Sequence, residues 1–370
     1  MFKKFFNALK TSRASRYSLI AILVLMVVLC VAGASFGLHI SFIIVVMLVL
    51  GFPVIIAVGG IGAAAGIVGS AVSNKKSYDE ISRSDPALAE LEKERGKLQM
   101  YNVIYFAVTV LLIIIAAILS QIAGLIIIMI LALLVYIFKI YPMNKAFNNT
   151  FGGNVVQTEV NRRFTNASYE HGRGLPPEEI GSAAFIGYDS YSGWEYIEGE
   201  QGSIHFRSSE VQLQTVSTYT DDDGDSHESY TTVFDGYVYS IPLSRPVSAA
   251  VYVASKKQKT HFKDKIETGS EDFDSKLKVY STDPEAARSL LISQVKAQIL
   301  RIADITKEPF CLVFNADKLY AFVQNSETSC FSVNLSKDIT VAQLRDNVAA
   351  HLSEQADLLN ILDTISASMM

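Results

Sequence analysis

Three carboxylates, Glu195, Glu198 and Glu210, fall close together in the sequence. Carboxylates brought to one place can divide general acid and base work between them. Turn and strand-end positions account for the same residues without any chemistry. Histidines 171, 205, 227, 261 and 351 are scattered, with no pair at metal-ligand spacing and no cysteine placed to help. The acidic run Asp221-Asp222-Asp223-Gly224-Asp225 has the look of a calcium loop. An EF-hand, however, needs glycine at its sixth position and glutamate at its twelfth, where this chain has Ser226 and Thr232. There is no G-x-S-x-G elbow, Walker loop or kinase signature. The residues therefore predict no catalytic, cofactor or metal site, and a non-enzymatic protein.

The elements around these residues divide the chain at about residue 140. Residues 1–140 hold 12 Lys and Arg against 6 Asp and Glu; the chain totals of 32 and 37 leave 20 and 31 for residues 141–370. An acidic second part argues against nucleic-acid binding, which neutralises phosphates with Lys and Arg. In the first part, His39 is the one readily charged residue from Tyr17 to Asn74, and Tyr101 to Phe138 has none. A membrane span needs roughly 20 apolar residues. Four spans are expected, at about 18–36, 40–58, 103–119 and 122–138, with turns at 37–39 and near Ser120 and Gln121. Lys and Arg cluster before, between and after the two hairpins and are missing from the short turns. By the positive-inside rule both termini are expected in the cytoplasm, as in a multi-pass protein of the inner (plasma) membrane.

Val54–Gly66 looks like a strand entering a dinucleotide-binding turn, but that fingerprint needs a soluble βαβ unit. Close helix packing through Gly62-x-x-x-Gly66 fits an uncharged setting better. The connector around Asp85-Pro86 is expected to be a solvated helix, with Asp85 as N-cap and Pro86 at the first helical position. Cys30, Cys311 and Cys330 make no disulfide framework and read as buried free thiols.

Residues 141–370 read as an α+β domain with an antiparallel sheet and packed helices. A helix is expected over 142–165. Strand composition follows at Trp194–Ile197, Ser203–Arg207, Val211–Tyr219, Ser229–Ile241 and Ser248–Ala254, with Asp-Gly at 223–224 as the hairpin signal. Asp283, Pro284 and Glu285 open one helix carrying the stripe Leu290, Leu291, Val295, Ile299 and Ile302. Strands Phe310–Phe314 and Leu319–Val323 come next. Thr340-Val341-Ala342-Gln343 is a capping box opening a last helix to about Ile365.

Two surfaces are candidates for binding. Tyr188, Tyr191, Trp194 and Tyr196 form an aromatic patch if exposed, since Tyr and Trp are favoured at hot spots; core packing is the commoner role. Lys256, Lys257, Lys259, Lys263 and Lys265 can contact anionic headgroups of membrane lipids, although Asp264, Glu267, Glu271 and Asp272 beside them suit a plain solvated loop.

Two stretches carry a family likeness. The first runs from Phe185-Ile186-Gly187-Tyr188 through Gly193-Trp194-Glu195-Tyr196-Ile197-Glu198-Gly199 and Phe206-Arg207-Ser208-Ser209-Glu210 to Val233-Phe234-Asp235-Gly236. The second runs from Glu271-Asp272-Phe273-Asp274 through Val279-Tyr280-Ser281-Thr282-Asp283-Pro284-Glu285-Ala286-Ala287-Arg288-Ser289-Leu290-Leu291. Together, over roughly residues 140–325, they resemble the bacterial membrane-protein family catalogued as domain of unknown function 3137. The resemblance implies one hydrophobic hairpin before the domain, where this chain has two apolar blocks. It implies no known activity, and it implies a LemA-type membrane protein as partner. The expectation is a membrane protein whose cytoplasmic domain is a binding or scaffold module for a protein partner, with self-association into a homo-oligomer as a further expectation. A transport or channel component and a membrane-tethered enzyme are the alternatives.

Overall fold

The computed structural model describes residues 72–83, 85–118, 122–220, 226–325, 330, 331, 333 and 339–369. The chain divides into two compact units, Met1–Asn144 and Lys145–Met370. The expected spans 18–36 and 40–58, the Gly62/Gly66 packing motif, Cys30, the turn at Ser120 and Gln121 and the acidic tip 221–225 lie outside the described residues.

In the first unit a helical stretch at 72–83 precedes α1 (Pro86–Ile118). Then come α2 (Ile122–Val135) and a π-helical turn, Tyr136–Ile140. The connector and the third expected span are one helix of 33 residues, since nothing between Pro86 and Ile118 breaks a helix except the tolerated Gly96. Nor is the connector simply solvated. Leu91, Glu92, Arg95, Leu98 and Gln99 are buried on one of its faces. Arg95 is neutralised there by Glu92 at 2.7 Å and donates further to Gln99 at 3.2 Å and Asn74 at 3.1 Å. A buried ion pair is tolerated when its remaining donors are satisfied in this way.

The segments Leu88–Ile113 and Ile126–Arg163 are each long and apolar enough to cross a membrane. The outer surface of α2 and the π turn is apolar and open, with Ile127 57% and Phe138 75% exposed. A helix apolar on all sides belongs in a protein core or in lipid.

The chain stays helical through α3 (Tyr141–Phe151), a second π turn (Gly152–Val156) and α4 (Gln157–Arg163), close to the expected 142–165. The second unit is built on one eight-stranded sheet, in the order β1-β2-β3-β4-β8-β7-β5-β6. The strands are β1 (Thr165–Glu170), β2 (Ser190–Gln201), β3 (Ile204–Thr220), β4 (Ser226–Pro242), β5 (Val251–Ser255), β6 (Leu277–Ser281), β7 (Phe310–Asn315) and β8 (Lys318–Gln324). Every named pair is antiparallel. The helices are α5 (Pro177–Ser182), α6 (Glu271–Lys276), α7 (Pro284–Leu290), α8 (Ser293–Ile305) and α9 (Val341–Ala367).

Alternate residues of a strand face opposite sides of the sheet, and here both sides are covered. On one side Val211, Leu213, Phe234, Val238, Val313 and Phe322 form a core with Leu175, Ile180 and Phe185 from the loop and α5. Phe185, Phe234 and Phe322 meet edge to face there. On the other side α9 packs against β2, β4, α4 and α8. Thr340 and Gln343 close the capping box of α9 with bonds of 3.2 and 2.9 Å.

Two expectations are corrected by the chain path. The helix opened by Asp283 stops at Leu290, and a second begins at Ser293 with Ile292 extended. Leu290 and Leu291 are both buried; on one straight helix they would point about 100° apart, and the break turns both inward. Strands β1 and β6 also form, where no strand is expected above. Each is held by antiparallel pairing to a neighbour, β1 to β2 and β6 to β5.

The two halves of the sheet meet at the β4–β8 pairing, where Gly236 faces Gln324. A Cβ at Gly236 would sit on the Val323 carbonyl oxygen and come within 2.8 Å of backbone atoms of Gln324 and Asn325. None of these can swing aside as a side chain does. We predict that Gly236→Ala destabilises the detergent-solubilised protein by about 1–3 kcal/mol, the range for forced overpacking. Gly187→Ala, with nothing within 4 Å of the new Cβ, should stay within about 0.5 kcal/mol of wild type. Thermal melts of both variants against wild type make the comparison.

Candidate functional site

A row of polar side chains crosses β1 to β4 on the side covered by α9. It begins with a fault in β2, whose register with β3 shifts between Trp194 and Ile197. Glu195, inside that bulge, has a positive φ of 56°, unusual for a residue with a side chain. Bulges re-aim side chains, and this one buries Glu195, Tyr196 and Ile197 in succession.

Once inside, the Glu195 carboxylate is held by two donors. The Tyr169 hydroxyl donates to Oε2, and His171 Nδ1 lies 2.8 Å from Oε1. The Glu195 amide also donates to the His171 carbonyl at 3.1 Å. Burial, reinforced by the Glu195 carboxylate, drives the Tyr169 phenol far above its ordinary range, so its proton stays in place. The hydrogen bond to Glu195 raises His171, with burial opposing it.

The row continues through Glu210, which pairs with Trp194 on β2 and Tyr237 on β4. The Tyr237 ring stands 4.5 Å from the His351 ring on α9, and Phe331 packs against Tyr169, Tyr237 and His351. Gln355 Nε2 lies 2.8 Å from His351 Nε2; an amide nitrogen donates, so the imidazole accepts in its neutral form. Burial agrees, lowering His351 to about 4. Cys330, near both glutamates, is pushed up to about 12 by burial and is a protonated, unreactive thiol at neutral pH.

The three sequence-adjacent carboxylates are thus only partly united. Glu195 and Glu210 share the buried row. Glu198 lies half-exposed, accepting from Tyr196 at 2.8 Å and facing His205 at 3.2 Å. His171 is the one member of the row whose imidazole reaches the surface, with its side chain 34% exposed. Among the described residues no group of three His, Cys, Asp or Glu side chains is placed to hold a metal ion. Chemically the row carries two buried carboxylates under α9, of which Glu195 is held by Tyr169 and His171.

Of the four aromatic candidates one is buried and three are half-buried. Tyr196 is buried with Arg173 over its ring at 4.0 Å. Tyr188 and Tyr191 pack against the core, and the Tyr191 hydroxyl donates to the Leu175 carbonyl at 2.5 Å. Trp194 is half-buried. Lys256, Lys257, Lys259, Lys263 and Lys265 are all exposed on the connection from β5 to α6, and Lys265 pairs with Glu267 at 3.0 Å.

Two features escaped the sequence reading. The side chain of Glu179 on α5 is 8% exposed, and its Oε1 accepts from Arg207 at 2.8 Å, Ser240 at 2.7 Å and Lys318 at 3.1 Å. Nothing in Pro177-Glu178-Glu179 announces this, because its partners come from three distant strands. The other feature is an arm. β3 pairs with β2 only as far as Gln214, and β4 pairs with β8 only from Gly236. Beyond those points β3 and β4 pair with each other alone, out to Thr220 and Ser226. Residues 217–220 and 226–232 are all exposed, with Tyr219 stacked on His227 at 5.3 Å.

The two buried-row histidines predict opposite pH dependence. His351 binds a proton near 6.5 when unfolded and near 4 when folded. Between those values the unfolded chain holds more protons, so stability falls as pH drops from about 6.5 to about 4, by up to about 3 kcal/mol. His171, raised in the fold, contributes stability below its ordinary value that fades as pH rises through the folded one. Melting of His351→Phe should lack part of the wild-type acid loss, and His171→Phe should lack the loss on the alkaline side. Unchanged slopes in both variants would contradict the assignment.

No curated protein matches the chain. Among solved structures, the mycobacterial trehalose monomycolate transport factor A, TtfA, is similar at 12% identity with a TM-score of 0.26, over 57% of this chain and 95% of that one. A family model described as "Protein of unknown function (DUF3137)" matches residues 232–364. That range takes in β4 with Gly236, the stretch from Glu271 to Leu291, and most of α9. The resemblance to the family of domain of unknown function 3137 is therefore confirmed over residues 232–364, from the arm through the C-terminal helix.

Proposed function

We propose that this protein is a bilayer-anchored, non-enzymatic binding protein whose α+β domain lies in the cytoplasm and presents the β3–β4 arm to a protein partner. The observation that carries the proposal is the arm itself: a two-stranded ribbon that outruns its neighbours and, among the described residues, leaves both outer edges open. Open edges are templates for strand addition unless Pro, Lys or a covering element blocks them. The described arm residues, Ser217–Thr220 and Ser226–Thr232, contain neither, and Glu228 is their one charged group apart from a His. The tip sequence adds four aspartates within Asp221–Asp225. The partner chemistry that fits is a strand edge bordered by Lys and Arg. A ribbon of two strands is marginal alone in water, so a partner strand would also steady it.

The anchor is supported by α1 and α2, whose open apolar surface suits lipid, and the cytoplasmic assignment rests on the Lys and Arg distribution. The row around Glu195 fits this reading too, since the Glu195 carboxylate is occupied by Tyr169 and His171.

The test replaces residues 217–229 by Asn-Gly between the paired Val216 and Tyr230, a two-residue hairpin connection. A photo-crosslinker at position 219 should give a heteromeric product in cells. The same group at exposed Lys257 should not. The shortened variant should melt as wild type does yet lose its partner on copurification by at least about tenfold, or ~1.4 kcal/mol. A partner retained by the shortened variant, or crosslinks only between copies of this chain, would remove the arm from this role.

A further inference from the structure

We propose that the groove between α1 and α2 is a lipid site, taking one acyl chain of an anionic phospholipid while Lys139 holds its phosphate. The proposal rests on the bilayer-anchored reading above. The groove has a volume of about 430 Å³, within the roughly 300–1,000 Å³ typical of small-molecule sites. Tyr101, Tyr105 and Leu112 line it from α1, and Leu131, Val135 and Lys139 from α2 and the π turn after it. From Tyr101 to Leu112 it runs about 17 Å along the helix at 1.5 Å per residue. That is a long, narrow and apolar shape. A helix, 10–12 Å across, is several times too bulky to enter it.

The two ends of the groove differ. One end, at Leu112 and Ile128, is wholly aliphatic. The other holds Tyr101, Lys139 and Met143, with Tyr136 and Tyr141 exposed nearby in sequence. Tyrosines gathered at one end of apolar helices mark the level of lipid headgroups, and a lysine there extends its ammonium toward them. Tyr105 bridges the helices by donating to the Ala132 carbonyl at 2.8 Å. Its hydroxyl is thereby used, and the ring is left as apolar wall. Lys139 is exposed and makes no ion pair among the described residues. Among the described residues it is the one charged side chain lining the groove. Basic groups between membrane helices recognise anionic headgroups, and this one stands where the phosphate of a chain lying in the groove would be.

The experiment uses the full-length protein in bilayer discs of phosphatidylcholine with a minor share of phosphatidylglycerol, read by native mass spectrometry after release. Wild type should carry one phosphatidylglycerol per chain. Lys139→Gln should lower that occupancy about fivefold, the equivalent of the roughly 1 kcal/mol a basic residue contributes near an anionic headgroup. Thr109→Trp, which fills the groove midway, should abolish retention of either lipid. Equal retention of the two lipids by wild type, or retention unchanged in Thr109→Trp, would overturn the proposal. A photo-crosslink from position 109 to residues 18–58 in place of lipid would also overturn it, because the groove would then be covered by the chain itself. An alkaline membrane wash separates the two readings. Protein that stays in the pellet without bound lipid sinks the lipid site alone, and protein that washes off sinks the anchor on which it rests.

Discussion

The sheet domain depends on the seam between β4 and β8. The meander β1 to β4 and the group β5 to β8 are joined there and, in the strand order, nowhere else. Seven residue pairs run from Gly236↔Gln324 to Pro242↔Lys318. Each end of the seam has its own device. At one end a residue without a side chain lets the Val323 carbonyl approach. At the other a single buried carboxylate, Glu179, draws donors from β3, β4 and β8 onto one oxygen. Burying a carboxylate is costly unless charge and hydrogen bonds replace its water, and Arg207 and Lys318 supply both. α5 is thereby pinned across the seam, and Ile180 beside Glu179 enters the core.

The polar row on the opposite side answers a different constraint. β2 runs past the bulge with Glu195 turned inward, so the fold must satisfy a carboxylate beneath a helix. Tyr169 of β1 and His171 just after it do so, which gives a reason for a short edge strand of poor strand composition to exist at all. Left-handed backbone at a glutamate costs of order 1–3 kcal/mol and persists only where surroundings over-determine it. Here the His171 carbonyl, the Tyr169 hydroxyl and the imidazole together hold it. A unit built this way is braced at one end of the β3–β4 ribbon and open at the other.

Local signals were legible. Asp283 caps α7 through Glu285 and Ala286 amides, Thr340 and Gln343 close their box, and the long β3 and β4 flank the Asp-Gly turn signal. Signals that depend on distant partners were not. β1, Thr165–Glu170, takes strand form through pairing with β2 rather than composition. Alternation predicts one buried side of β2, whereas the bulge shifts its phase and buries Tyr196 as well as Glu195. Glu179 could not be distinguished from its neighbour Glu178 without Arg207, Ser240 and Lys318 in view. The open arm was readable only as a hairpin. That β2 and β8 stop short of it is a property of the whole sheet.

The same contrast separates the two units. In the sheet domain two buried carboxylates are matched within the fold, Glu179 by Arg207 and Lys318 and Glu195 by Tyr169 and His171. Along α2 and its π turn the opposite holds, for large apolar side chains face outward and Lys139 has no acid facing it among the described residues. In water such a surface would drive aggregation. In lipid it is neutral, and the lysine is the group left over. An apolar surface of this kind, with Lys139 at one end of it, suits lipid better than water, and that is the physical ground of the proposed bilayer anchor.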